Sequence, residues 1–220
     1  MSGDNRLFED LAERLYQGDS KAVVALIEQG LALGVSPKKL LEQGLIAGMA
    51  TVGEDFKCGE LFVPEIIVAA RAMHAGIDLL RPLMADVHTS LSRTVILGTV
   101  KGDLHDIGKK LVGVMMEGAG YEVIDLGHDV DPEAFVDAVK KHQADLVGLS
   151  ALLSTTMPMM KTTIDALATA GLRKSVWVLV GGAPVTSDWA QEIGADGYAN
   201  DAVRAVDRAR RLFAESNPRD

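Results

Sequence analysis

The spacing of apolar residues changes halfway along this chain, and that change limits the folds available to it. From Leu7 to about Met84 apolar residues recur only at helical intervals, separated by glycines, small residues and a Ser-Pro pair. From Thr94 onward short β-rich runs alternate with helical segments, which is typical of a parallel sheet with helices on both faces. The sequence therefore predicts an N-terminal α-helical bundle over residues 1–88 and a doubly wound α/β domain over residues 89–220.

Local signals refine both halves. Ser36 before Pro37 is typical of a helix N-cap with proline at the first helical position, and Asp131 and Asp201 are expected to cap two later helices. The polar stretch 86–93 follows neither period and is predicted to link the halves. One long helix of the first half is expected to bury a face made of Ile66, Ala70, Met73, Ile77 and Leu80. A five-stranded parallel sheet of flavodoxin or Rossmann type is predicted from Thr94–Val100, Tyr121–Leu126, Asp145–Leu149, Ser175–Val180 and Gly197–Ala199.

The charge balance argues against one class of partner. The 220 residues carry a formal net charge of −9, whereas binding of nucleic acid needs a concentrated positive surface, so nucleic acid is not expected. The single cysteine, Cys58, cannot form an internal disulfide, and no apolar run approaches the roughly 20 residues that span a bilayer. The polar start, Met1 to Asn5, lacks the apolar core of a secretory signal, so a cytoplasmic location is expected.

The first predicted strand ends in a loop that carries an imidazole between two carboxylates. Residues 101–108 read Lys-Gly-Asp-Leu-His-Asp-Ile-Gly, with His105 two residues after Asp103. Histidine is the commonest metal ligand, and a nearby carboxylate can accept the proton of the other ring nitrogen and orient the ring. A structural or capping role fits this short pattern equally well. A phosphohydrolase His-Asp metal pair is a further alternative, although that fold is all-helical. Lys109 and Lys110 are expected to be solvated.

Two other predicted strands end in residues that could face a ligand. The third ends in the hydroxyl-rich stretch 148–156, and the fourth ends in Gly181 and Gly182. Glycines lack a Cβ atom, so a large flat or extended ligand can lie against their backbone. For an isolated pair of glycines, a loop that needs positive φ angles is the alternative.

These loops together resemble a known cofactor-binding signature. Asp-x-His-x-x-Gly at residues 103–108 is followed after 41 residues by Ser-x-Leu at 150–152, and after another 28 by Gly-Gly at 181–182. This arrangement is similar to the cobalamin-binding signature of methionine synthase, corrinoid methyl-carrier proteins and several cobalamin-dependent mutases. In the helical half, residues 55–64 resemble the cap segment that precedes the corrinoid domain of methionine synthase. The resemblance covers nearly the whole chain.

The resemblance implies a bound cobalamin whose nucleotide tail has left the cobalt, with His105 as the lower ligand in its place. Asp103 would hold the other ring nitrogen, and Thr156, where methionine synthase has a serine, would complete a hydrogen-bond relay. The imidazole would bind the cobalt in the methyl-Co(III) state and detach from it in the Co(I) state. Co(II) is the third oxidation state of the cofactor. The buried carboxylate would couple that detachment to proton uptake.

The resemblance also implies a slot for the tail and a cap over the corrin. Phe56 and Val63 match cap positions that cover the upper face and shield a bound methyl group, while a place in the bundle core is the alternative for Phe56. The tail slot would be lined by Ser150, Leu152, Ser154, Gly181 and Gly182. The full set of predicted cofactor-binding residues is Asp103, His105, Asp106, Ile107, Gly108, Ser150, Leu152, Ser154, Thr156, Gly181, Gly182, Ala183, Phe56 and Val63.

The function implied is that of a carrier, not catalytic alone, which takes a methyl group from one methyltransferase and gives it to another. The upstream partner would demethylate methanol, a methylamine, glycine betaine or a methoxylated aromatic. The downstream partner would methylate tetrahydrofolate or coenzyme M, and a reductive activase is a third expected partner. Two alternatives stay open. A subunit of an adenosylcobalamin mutase would need the space of the cap for its substrate barrel, and a cobalamin light sensor would add a DNA-binding module.

Overall fold

The computed structural model describes residues 3–84 and 93–215, and these fall into two compact units. The first unit is all-helical and contains residues 3–84 together with Gly118–Gly120. The second contains residues 93–117 and 121–215. The predicted domain boundary at 88/89 and residues 86–92 of the predicted linker lie outside the described residues, so both stay predictions. None of the helices in the described ranges is long and apolar enough to cross a membrane.

Two helices of the helical unit begin at capping signals that the sequence carries. Ser36 accepts a hydrogen bond from the backbone N–H of Lys39 at 3.3 Å, as expected of an N-cap. Glu65 folds back and accepts the N–H of Phe62 at 2.7 Å, which fixes the start of the long helix. The elements are α1 (Gly3–Tyr16), α2 (Ser20–Ala32), α3 (Pro37–Lys39), a π-helical segment (Leu40–Ile46), α4 (Ala47–Cys58), α5 (Val63–Leu80) and a 3₁₀ turn (Arg81–Met84).

The core of this unit differs in two places from the helical spacing. The π-helical segment has a wider turn than an α-helix, so Leu40, Leu45 and Met49 are buried at intervals of five and four, while Leu41 is only half-buried. In α5 the buried face includes four of the five predicted residues, and Ile77 is half-buried. The rest of that face is lined by small side chains, which allow close helix approach: Ala69, Ala72 and Gly76.

The second unit is a five-stranded, all-parallel sheet with flanking helices, so the predicted fold class is confirmed. The strand order is β2-β1-β3-β4-β5, so the direction in which successive strands are added to the sheet reverses between β1 and β3. The strands are β1 (Thr94–Thr99), β2 (Glu122–Asp125), β3 (Leu146–Ser150), β4 (Trp177–Gly181) and β5 (Gly197–Ala199). The helices are α6 (Ile107–Gly118), α7 (Pro132–His142), α8 (Pro158–Thr169), α9 (Ser187–Glu192) and α10 (Ala202–Ala214).

Two aspartates close the amino edge of this sheet. Asp145, just before β3, accepts the N–H of Thr94 at 2.9 Å and the guanidinium of Arg93 at 2.9 Å. Asp196, just before β5, accepts the N–H of Val178 at 2.7 Å. Each carboxylate therefore pairs a strand N–H that the ladder leaves unpaired. Arg93, predicted to end the linker, belongs to the sheet unit instead.

At the carboxyl edge, three strands end in register. Thr99 of β1 is in register with Ser150 of β3, and Ser150 is in register with Gly181 of β4. Because three adjacent strands end at the same level, the three loops that follow them start side by side.

Packing beneath this edge yields a stability prediction. A Cβ on Gly98 of β1 would lie 2.4 Å from Cζ of Phe135, a fully buried ring of α7. We expect Gly98→Ala to lower the free energy of unfolding by roughly 1–3 kcal/mol, because the ring has no free space to enter. Gly113→Ala in α6 is the control, since its nearest contact would be an ordinary 3.4 Å.

The measurement is urea unfolding of Gly98→Ala, Phe135→Leu and the double variant. Leucine relieves the collision, so the double variant should lose less stability than the sum of the two single losses. Additive losses would contradict the close contact.

Candidate functional site

The predicted site is built around Asp103, which lies in the loop between β1 and α6. Its side chain is fully buried and accepts five hydrogen bonds. Oδ1 accepts the backbone N–H of His105 at 3.0 Å and lies 2.8 Å from its Nδ1. Oδ2 accepts from Leu152 N at 2.7 Å, Leu153 N at 3.2 Å and Thr156 Oγ1 at 2.7 Å. One carboxylate therefore joins the loop after β1 to the loop after β3.

The protonation of Asp103 follows from these contacts. Burial acts to raise the pKa of this carboxyl, but the hydrogen bonds from Thr156, His105 and Leu152 outweigh it and hold the pKa well below its usual range. Asp103 is thus an ionised, acceptor-only group at neutral pH. The proton of the shared contact must then sit on Nδ1 of His105, and in the neutral ring Nε2 carries the lone pair.

His105 faces outward from this buried anchor. Its side chain is 51% exposed, and its carbonyl accepts the hydroxyl of Thr99 at 3.0 Å. Within the described ranges there is no group of three or more His, Cys, Asp or Glu residues that could hold a metal ion.

A third loop, after β2, holds the start of the His105 loop, a contact that the sequence patterns did not predict. Asp129 accepts the N–H of Gly102 at 2.8 Å, and its own N–H donates to the carbonyl of Asp103 at 2.9 Å. Lys101 pairs with Asp129 at 3.4 Å and with Asp131 at 3.3 Å. Asp131 stands at the N-cap of α7 as predicted, but its side chain makes no capping bond. The sequence signal that could have predicted this contact is the pair Asp129 and Asp131, which follows the second β-rich run.

The residues predicted for the tail slot share the carboxyl edge but differ in exposure. Ser150 is half-buried at the end of β3, Leu152 is 43% exposed, and Ser154 and Ala183 are exposed. Gly181 and Gly182 end and follow β4.

Gly182 fits the second interpretation of the glycine pair, a loop that needs a positive φ angle, while a ligand lying against its backbone stays a prediction. It has a φ of +128°, a conformation that L side chains rarely adopt. A Cβ there would also lie 1.8 Å from the carbonyl oxygen of Ala151, so the two loops pack backbone to backbone. The packing of the loops alone therefore requires this glycine.

The helix entry after His105 combines apolar and charged residues. Ile107 is 81% exposed, and Leu104, which was not predicted to belong to the site, is 66% exposed. Asp106 pairs with Lys110 at 2.7 Å, and this contact lowers the pKa of its carboxyl. A Cβ on Gly108 would meet no atom within 4 Å, so the surface beside the imidazole is open there.

One expectation for this helix is wrong. Lys109 is not solvated: it is 3% exposed, and its ammonium pairs with Asp125 at the end of β2. The residues predicted to form the cap lie in the helical unit, where Phe56 is half-buried in α4 and Val63, at the start of α5, is 37% exposed. Their role toward the corrin stays a prediction.

The sequence matches the B12 binding domain family over residues 93–207, and a second family of the same description over residues 7–81. It is 44% identical to dimethylamine corrinoid protein 1 of Methanosarcina acetivorans, over 94% of this chain and 98% of that protein. It is 42% identical to trimethylamine corrinoid protein 2 of Methanosarcina mazei, over 95% of this chain and 98% of that protein.

Among solved structures, the methanol:cobalamin methyltransferase complex MtaBC from Methanosarcina barkeri matches with a TM-score of 0.87 and 29% identity, over 96% of this chain and 81% of that chain. Family matches thus cover both units, and relatives above 40% identity align along nearly their whole length. The chain belongs to the corrinoid proteins, the cobalamin-binding methyl carriers of methyltransferase systems.

Proposed function

We propose that this protein carries methyl groups in a methylamine methyltransferase system, and that His105 Nε2 is the lower ligand of a cobalamin whose own base is detached. The observation that carries the ligand assignment is the buried Asp103 carboxylate, 2.8 Å from Nδ1, which leaves Nε2 with its lone pair. The donor assignment rests on identities of 44% and 42% to dimethylamine and trimethylamine corrinoid proteins, aligned over 94% and 95% of this chain.

The surroundings of His105 fit such a group. When bound, the corrinoid supplies a cobalt that accepts and donates a methyl group. A wide apolar macrocycle needs an apolar floor, and the imidazole is accompanied by exposed aliphatic side chains: Leu104, Ile107, Leu152 and Leu153. His105 offers one imidazole nitrogen, which would suit a metal that the cofactor already holds through nitrogens of its own.

The chain's own residues have distinct tasks in this proposal. Asp103 keeps the proton at Nδ1 and orients the ring, and Thr156 holds the second carboxylate oxygen. Ser150, Ser154 and the glycine pair line the tail slot. Phe56 and Val63 shield the methyl group. Partners are a methylamine:corrinoid methyltransferase upstream, a tetrahydrofolate or coenzyme M methyltransferase downstream, and a reductive activase; the chain is not catalytic alone.

The ligand assignment predicts the nitrogen coupled to Co(II). In nitrogen-15-labelled protein loaded with unlabelled cob(II)alamin, electron paramagnetic resonance should show a nitrogen-15 doublet from the imidazole. His105→Ala should replace it with the spectrum of the detached or benzimidazole-bound cofactor. A nitrogen-14 triplet in the labelled wild type would rule out His105 as the ligand.

The Asp103 network predicts a pH dependence of stability. Its pKa in the folded protein is lowered, so its contribution is complete above the unfolded value of about 3.9 and is lost as pH falls through the lower folded value. Asp103→Asn should lower the free energy of unfolding by roughly 2–4 kcal/mol at pH 7. The NH₂ group of asparagine would face buried N–H or O–H donors that now bind a carboxylate oxygen.

The check is urea unfolding of both proteins, without cofactor, from pH 7 downward. Below about pH 4 the difference between wild type and Asp103→Asn should shrink as the pH falls further. A difference that stays constant or grows below about pH 4 would contradict the lowered pKa of Asp103.

The donor assignment predicts which upstream enzyme accepts this carrier. With cobalamin-loaded, reduced protein and a dimethylamine:corrinoid methyltransferase, dimethylamine should yield monomethylamine. With a trimethylamine or methanol methyltransferase, demethylation of the corresponding substrate should be at least about tenfold slower, because recognition of the carrier depends on the surface of the partner enzyme. Product chromatography provides the measurement, and faster turnover with methanol would remove the methylamine assignment while leaving the ligand assignment intact.

A further inference from the structure

Lys109 occupies a position that is unfavourable for a lysine. Its side chain is 2% exposed, whereas the next lysine, Lys110, is 63% exposed. Burial removes water from the ammonium, and the first turn of α6 adds the positive end of the helix dipole. A buried cation at a helix start must be compensated by a specific partner, and here that partner is Asp125.

From Asp125 a continuous path of hydrogen bonds leads to the imidazole-bearing residue. Asp125 Oδ1 also accepts the N–H of Gly127 at 2.8 Å. The carbonyl of Gly127 accepts the N–H of Thr99 at 3.0 Å, and the Thr99 hydroxyl donates to the carbonyl of His105 at 3.0 Å. The ion pair of Lys109 therefore connects through the end of β2 and the end of β1 to the backbone of His105.

The two ends of the His105 loop are held by different means. Asp103 fixes the ring through Oδ1, and it determines the ring's direction relative to the buried anchor. How far the ring projects from the carboxyl ends of the strands depends on where the loop enters α6, because Ile107 begins the helix two residues after His105. Lys109 is in that first turn, so its pairing with Asp125 ties the helix entry to the sheet.

We propose that Lys109 is a positioning residue for the lower ligand: its ion pair with Asp125 fixes the first turn of α6 against β2 and thereby the position of His105 Nε2. The cobalt part of this inference rests on the proposed function. The geometric part concerns the protein without cofactor.

The alternative is that the pair only stabilises the fold. Removing one partner of a buried pair destabilises a protein whatever its role, so loss of stability alone cannot distinguish the two. The test therefore compares Lys109→Met with Asp125→Asn, which keeps an acceptor for Gly127 and is less disruptive. Lys161→Met is the control, because Lys161 forms an exposed ion pair with Asp165 in α8 at 2.5 Å.

The first measurement is made without cofactor, on nitrogen-15-labelled protein by nuclear magnetic resonance. The backbone amide of His105 donates to Asp103 at 3.0 Å, so its chemical shift reports the loop position. It should move or broaden in Lys109→Met and in Asp125→Asn, and remain unchanged in Lys161→Met.

The second measurement is electron paramagnetic resonance of the same proteins loaded with cob(II)alamin. The ratio of imidazole-bound to unbound cobalt should fall about tenfold in Lys109→Met, as expected when support of a metal ligand is removed. In Lys161→Met it should stay within about twofold of the wild type, since exposed pairs contribute little.

The outcomes separate the two proposals. An unmoved His105 amide and an unchanged cobalt ratio in both pair variants, with only a lower unfolding midpoint, would overturn the positioning role. A wild type without protein-nitrogen coupling would instead reject the cobalt ligand, and the amide shift alone would then decide the role of Lys109. Where Lys109→Met does not fold, Asp125→Asn decides it.

Discussion

The charge of Asp103 has no solvent around it, so protein donors must satisfy it. Five of them do, and they come from two different loops. An ionised carboxylate left with fewer donors in this interior would cost several kcal/mol, so neither loop can move away independently. The position of the imidazole, the conformation of the hydroxyl-rich loop and the location of Thr156 all follow from this requirement.

The topology of the sheet makes this arrangement possible. The strand order reverses between β1 and β3, the place where sheets of this type commonly bind ligands, and the register of Thr99, Ser150 and Gly181 brings three loops to one level. At the amino edge, Asp145 and Asp196 instead pair the N–H groups of Thr94 and Val178. The residues of the predicted site therefore gather at the carboxyl edge, while these two carboxylates contribute to the stability of the sheet.

Much of this was predictable from the sequence because it depends on local rules. Ser36 and Asp201 cap their helices, since capping needs only a short polar side chain before an apolar run. The burial of Lys109 was not predictable, because its partner Asp125 is 16 positions away and on another element. Asp131 shows the same limit: its position follows from the local rule, but its side chain pairs with Lys101, 30 positions earlier. The π-helical turn, likewise, depends on packing and not on spacing.

The polar contacts of the His105 loop also bear on its exposed aliphatic residues. Leu104 and Ile107 are 66% and 81% exposed, and an unrestrained loop would turn such side chains inward to reduce their contact with water. The bonds of Asp103 hold the middle of the loop, Asp129 holds its start, and Lys109 holds its exit. With all three parts held, Leu104, Ile107 and the imidazole of His105 all stay exposed. A loop that is already ordered loses little conformational entropy when a flat apolar ligand covers it. The favourable contacts with the ligand are then offset less by the cost of ordering the loop, so the affinity is higher.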